Sequence, residues 1–119
     1  MDRRIMTSIT QPAEWLPDPG RFHGDWEGAA RGANISVITN DILEPGRGPR
    51  LHKHPYPEIF VIRRGRALFV VGNERVEAHA GQILVVPPDT PHKFTNLGPE
   101  PLETIDIHES GSFVTEWLE

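Results

Sequence analysis

Three of the chain's six histidines stand in an arrangement that points to a bound metal ion. His52 and His54 are two residues apart, so in an extended segment both imidazoles project from one face. Pro55, Tyr56 and Pro57 then form a turn, and Glu58 opens the next apolar run. Such a turn folds the carboxylate back beside the two rings. His92 follows much later, in a loop bracketed by Pro87, Pro88 and Pro91, and offers a further imidazole. Three neutral imidazoles and one carboxylate suit Fe, Mn, Ni, Cu or Zn as divalent ions. Four protein donors leave an octahedral ion with open positions, as catalysis requires and a structural site does not. There is no cysteine, which removes thiolate ligands, disulfides and Cys nucleophiles.

These groups need a rigid frame, and the chain around them reads as β. Ile35 to Leu43 is rich in β-branched residues, with Ile35, Val37 and Thr39 on one face. Glu58 to Arg64 is a second strand, ended by Gly65, and Arg66 to Val71 a third. Gly72-Asn73-Glu74 turns into Arg75 to His79, a hairpin. Ile83 to Val86, His92 to Asn96, Leu102 to His108 and Phe113 to Leu118 complete the series. No window shows helical periodicity, and the 12 prolines and 11 glycines suit many turns between short strands. The pattern predicts an all-β sandwich or barrel. The strands EIFVI and ILVV are apolar on both faces, which predicts cover on both sides, from the opposite sheet, the arm or a second subunit.

The metal-ligand pattern resembles the cupin superfamily at both of its sequence motifs. The first reads Gly46, RGPRL, His52-Lys53-His54, PYP, Glu58, IFVIRR, Gly65, and matches throughout. The second reads Gly81, QILVV, Pro87-Pro88-Asp89, TP, His92, KFT, Asn96. It departs where Asp89 replaces a glycine; aspartate tolerates left-handed backbone better than most residues, so the turn should survive. The resemblance implies a double-stranded β-helix, or jelly-roll, cupin barrel, commonly a dimer. It implies one divalent ion deep in the barrel mouth, held by His52, His54, Glu58 and His92. It also implies a dioxygenase, a sugar or keto-acid isomerase, a decarboxylase or lyase, or a sensor that only binds its small-molecule ligand.

Beyond the ligands, alternation assigns Phe60 and Ile62 to the Glu58 side and Phe94 and Asn96 to the His92 side, as walls of a pocket or as core. In Leu102 to His108 the polar Thr104, Asp106 and His108 alternate with Ile105 and Ile107. Solvent exposure of the polar side is the simplest reading. If that side faces inward, Asp106 and His108 are acid–base candidates, as Glu58 is should it detach from the ion. Arg47, Arg50 and Lys53 form a basic rim able to meet a substrate carboxylate. His23 and His79 read as surface residues.

At 119 residues the chain is one domain: an N-terminal arm over 1–33, carrying Trp15, Phe22 and Trp26, and a barrel over 34–119. The net charge of -5, without a basic run, argues against nucleic acid as a partner. No apolar run reaches membrane-spanning length, and the first ten residues lack a secretory apolar stretch. The expected setting is the cytoplasm, and the expected partners are a small molecule and a second copy of the chain. The expected chemistry is metal-dependent and of oxygenase type, on a small polar organic molecule.

Overall fold

The computed structural model describes residues 7–119. After a four-residue helix α1 (Pro12–Trp15) the chain forms β1 (Gly24–Glu27), β2 (Ser36–Ile42), β3 (His52–Lys53), β4 (Glu58–Arg64) and β5 (Arg66–Val71). The second half forms β6 (Glu74–His79), β7 (Ile83–Val86), β8 (His92–Asn96), β9 (Leu102–His108) and β10 (Glu116–Trp117). Two five-stranded antiparallel sheets result, in the orders β1-β2-β9-β4-β7 and β10-β3-β8-β5-β6. They close as the jelly-roll barrel that the family resemblance implies, one of the two forms, sandwich or barrel, that the strand pattern allows.

Alternation builds the interior. In β4, β8 and β9 every even-numbered residue from Glu58 to Ile62, His92 to Asn96 and Leu102 to His108 is buried. One end of the barrel is apolar, where Phe60, Ile62, Ala67, Phe69, Val86, Phe94 and Leu102 form a common cluster. Phe69 packs against Phe60 and Phe94 with ring centroids 4.9 and 5.0 Å apart, pairs each worth roughly 1 kcal/mol beyond their burial. The other end is polar. There the register sets Glu58 opposite His108 across β4 and β9, and His52 opposite His92 across β3 and β8.

Several expectations change here. The polar side of β9 faces inward: Thr104, Asp106 and His108 are all buried, while Ile105 and Ile107 are only half-buried on the outside. A two-residue period separates two faces but does not say which one meets the core. The outer face of β7 is open, with Ile83 and Val85 66% and 59% exposed, so ILVV is not covered on both sides within one chain. Phe113 to Leu118 shrinks to the two-residue β10. Within the N-terminal arm, where no strand is expected, β1 pairs with β2 along its whole length; framed by Gly24 and Gly28, it is too short to show alternation. Phe22 lies under the Arg63 guanidinium, 4.3 Å from its ring centre, and Trp26 Nε1 donates to Thr10 Oγ1. Residues 1–6 of the expected arm lie outside the described residues.

Candidate metal centre

The two motifs meet through backbone contacts. Asp89 adopts the left-handed conformation, with φ 56°, where the second motif has glycine in the family pattern. Its N–H donates to the carbonyl of His54 at 2.7 Å, which ties the proline loop carrying His92 to the segment carrying His54. Gly48 lets the chain before β3 lie against β8: a Cβ there would run into the Phe94 carbonyl oxygen.

His52, His54, Glu58 and His92 each present one donor atom, and these atoms all lie within 4.8 Å of one another. All are buried, at 7, 3, 2 and 1% exposure. The back of each ring is fixed by a main-chain carbonyl: Nδ1 of His52 meets Arg50 O at 2.6 Å, that of His54 meets Val114 O at 2.9 Å, and that of His92 meets Thr90 O at 2.9 Å. A carbonyl oxygen only accepts, so in the neutral ring Nδ1 carries the proton and Nε2 keeps a lone pair. Two of those nitrogens, on His54 and His92, stand against a group that also only accepts. His54 Nε2 stands 3.1 Å and His92 Nε2 3.0 Å from Glu58 Oε1. Buried acceptors facing one another at such distances repel unless a cation lies among them. The neutral imidazoles and the carboxylate therefore fit a divalent ion in chemistry as well as in position.

Electrostatics point the same way. Burial lowers the affinity of His52 for a proton, against the pull of the Arg50 carbonyl, and so favours the ligand form. Burial opposes the charge on Glu58, but a proton at Nε2 of His108, His54 and His92 holds its carboxyl well below the usual range, and a cation among those nitrogens would pull the same way. Asp106 behaves oppositely: burial and then the Glu58 charge push its carboxyl well above the usual range, against Thr104 and Asn40.

His108 joins the centre from β9. Its Nε2 stands 3.0 Å from Glu58 Oε2, and its Nδ1 stands 2.6 Å from the Tyr56 hydroxyl. That hydroxyl accepts from the Val114 N–H at 3.2 Å, which leaves its own proton for His108 Nδ1. His108 then carries its proton at Nε2, 3.0 Å from Glu58 Oε2 but without hydrogen-bond geometry towards it among the described residues.

A cavity of about 430 Å³ opens onto the cluster. His52, His54, Glu58, Asp106 and His108 line its polar part; Ile38, Ile42, Phe94, Phe113 and Trp117 supply apolar wall. Phe60 and Ile62 point inward but belong to the core and not to this wall, because alternation gives the face and not the depth. Arg50 stands at the rim, its guanidinium 5.1 Å from the Trp117 ring centre, and it is Arg47 that reaches the lining. His23 is exposed, and His79 pairs with Glu77 on the surface. Sequence reasoning missed Tyr56, Asn40, Phe113 and Trp117. Tyr56 carried a signal, since His52, His54, Tyr56 and Glu58 occupy successive even positions.

A closed double sheet with three imidazoles and a carboxylate in its mouth defines a class of metal-binding β-barrel proteins. The family model described as the cupin domain matches residues 41–108, and the chain belongs to that family. It is 40% identical over 69 residues to an uncharacterised protein of Methanocaldococcus jannaschii, covering 57% of this chain and 55% of that one. It is 36% identical over 70 residues to the polyketide synthase CurC of Streptomyces cyaneus, covering 58% and 46%. The chain thus spans about half the length of the curated relatives it matches. Among solved structures, the oxalate decarboxylase of Lactobacillus farciminis, in a formate complex, superposes with a TM-score of 0.72 at 24% identity, over 82% of this chain and 31% of that one. The oxalate decarboxylase of Bacillus subtilis, studied for its Mn(II) centres, gives 0.73 at 23% identity, over 80% and 27%. At these identities the likeness is one of fold. No helix among the described residues is long and apolar enough to cross a membrane.

Proposed function

We propose that His52, His54, Glu58 and His92 hold one divalent ion of Fe, Mn, Ni, Cu or Zn, and that the chain is a metal-dependent enzyme of oxygenase type acting on a small oxygen-bearing organic molecule. The observation that carries this reading is the set of imidazole lone pairs around a carboxylate at the floor of a largely apolar cavity. When bound, such an ion supplies Lewis acidity and, if redox-active, a route for dioxygen chemistry. The chain supplies the rest. The carbonyls of Arg50, Val114 and Thr90 keep the rings aimed. Ile38, Ile42, Phe94, Phe113 and Trp117 exclude water and take the apolar body of a substrate. His108 holds a proton at Nε2 beside Glu58. The test is metal analysis of protein purified without chelators, followed by oxygen uptake against catechols, diketones and thiols. One iron or manganese per chain with substrate-dependent uptake supports the reading; flat traces across the panel overturn it.

A second reading is proton-transfer chemistry on the same ion, as in an isomerase, decarboxylase or lyase. It is favoured by the buried Tyr56–His108–Glu58 line and by Asp106 in the cavity wall. The names of the two proteins alike in fold, both oxalate decarboxylases, lean the same way. Turnover without oxygen consumption would select it. Tight ligand binding with no turnover would select a sensor.

The exposed Ile83 and Val85 on the edge strand β7 support a homodimer as the working assembly. Light scattering that gives the mass of one chain at micromolar concentration would remove that proposal.

A further inference from the structure

Across the cavity from the imidazoles, the inner faces of β2 and β9 carry polar groups that the metal does not use. The register sets Ile38 opposite Asp106 and Asn40 opposite Thr104. Asn40 Nδ2 donates to Asp106 Oδ2 at 2.8 Å and to Thr104 Oγ1 at 3.2 Å, which occupies both of its protons. Asp106 is 3% exposed, and its other oxygen, Oδ1, has no hydrogen-bond partner among the described residues. Both Asn40 and Asp106 line the cavity. A buried carboxyl oxygen without a partner costs about 1–3 kcal/mol, so its retention in a cavity wall calls for a ligand.

We propose that Asp106 and Asn40 form a recognition subsite for an uncharged hydroxyl group of the substrate, remote from the group that meets the metal. This deepens the metal-dependent reading above and rests on it, because the other end of the molecule is placed at the imidazoles. Asp106 lies two residues along β9 from His108, about 7 Å at the rise of a strand. Asp106 Oδ2 already accepts from Asn40, so the proton of the neutral acid sits on Oδ1 and is donated to the hydroxyl oxygen, while the hydroxyl proton goes to the Asn40 carbonyl oxygen. A carboxylate does not fit, because it has no proton for the Asn40 carbonyl oxygen and adds a second negative charge to a lining that already holds Glu58. The cation among the lining residues is Arg47, which comes from the segment before β3 and not from the β2–β9 wall. The subsite therefore selects polyhydroxylated or enolic molecules with an apolar body over small dicarboxylates.

Zinc-loaded protein, which does not oxidise catechols, is titrated anaerobically by calorimetry with catechol, its 1,2,3- and 1,2,4-trihydroxy homologues, and 3,4-dihydroxybenzoate. The expected result for the unaltered chain is that one of the triols binds about tenfold tighter than catechol, the gain from one buried hydrogen bond. The benzoate binds more weakly than catechol. Asp106→Leu and Asn40→Leu bring the ratio of triol to catechol affinity to about one, and Asp106→Asn keeps most of it. Because the readout is a ratio, partial loss of fold in one variant does not imitate the result, and Asn40→Leu approaches the subsite from the other strand. A ratio near one in the unaltered chain, tighter binding of the benzoate than of either triol, or no binding of any probe overturns the subsite. Zinc content of the same samples reports separately on the metal centre: zinc bound with a ratio near one removes the subsite alone.

Discussion

The Tyr56 hydroxyl sits 2.6 Å from Nδ1 of His108, and the opposite nitrogen of that ring sits 3.0 Å from Glu58 Oε2. The tyrosine thus sets which nitrogen of His108 carries the proton, and through it places an N–H beside a carboxylate of the candidate metal centre. Tyr56→Phe leaves His108 Nδ1 and the Val114 N–H without this partner. Zinc affinity, measured by competition with a chromogenic chelator, is expected to fall about tenfold to a hundredfold while the β-rich circular dichroism is kept. Unchanged affinity would reduce Tyr56 to packing.

Glu58 invites a sharper test, because its cost and its use separate with the metal. Without an ion its carboxylate faces imidazole lone pairs at 3.0–3.1 Å. Glu58→Gln places an amide there whose N–H groups donate to those lone pairs. At about pH 8, where imidazoles are neutral, the metal-free variant is expected to be about 1 kcal/mol more stable than the parent in urea unfolding. With zinc present the order reverses, since the variant loses the stabilisation by bound metal. A metal-free variant less stable than the parent would mean that the carboxylate is satisfied without a cation.

His92→Ala removes a ligand that comes from the second motif, beyond the spacer between the two. Metal retained through gel filtration is expected to drop from about one ion per chain to near none, by plasma emission analysis. Retention of a full ion would show that His92 is not needed to hold it.

Gly48→Ala probes the frame. The new methyl group would meet the Phe94 carbonyl oxygen and push the segment before β3 away from β8. A loss of about 2 kcal/mol or more is expected in chemical unfolding, the upper range for overpacking, together with weaker zinc binding. A variant with parental stability would mean that this segment gives way freely.

Acid should release the N-terminal segment in a defined direction. Arg21 clamps Asp41 with two contacts of 2.7 Å, and the Phe22 N–H adds a third bond at 3.1 Å. The hydrogen bond from Arg21 leads in holding the Asp41 carboxyl below its ordinary value of 3.8, against burial. A depressed carboxyl stabilises the fold above its unfolded value and loses that contribution as pH falls towards the folded one. Protection of the Phe22–Glu27 amides, corrected for the intrinsic exchange rate, is therefore expected to fall below about pH 4, and in Asp41→Asn at neutral pH as well. Equal exchange in parent and variant would place the hold on this segment elsewhere, in the β1–β2 pairing.

The ligand set and most strands were legible in residue order alone. His52, His54 and Glu58 are joined by a short turn, so local geometry brings these three together, while His92, which opens β8 after the proline loop, joins them by pairing with His52 of β3. Glu58–Arg64, Arg66–Val71, Ile83–Val86, His92–Asn96 and Leu102–His108 are the expected strands at the same bounds, because Gly and Pro punctuate them. The roles of β9 and of Tyr56 were not legible. An alternating strand has two faces of equal standing in the sequence, and the rule that polar residues meet water pointed Thr104, Asp106 and His108 outward. They face inward because β9 is central, between β2 and β4, and closure of the barrel brings its even positions against Glu58 and Asn40. Whether a polar side chain is buried depends on partners that come from distant strands, and those partners exist only once the sheets have closed.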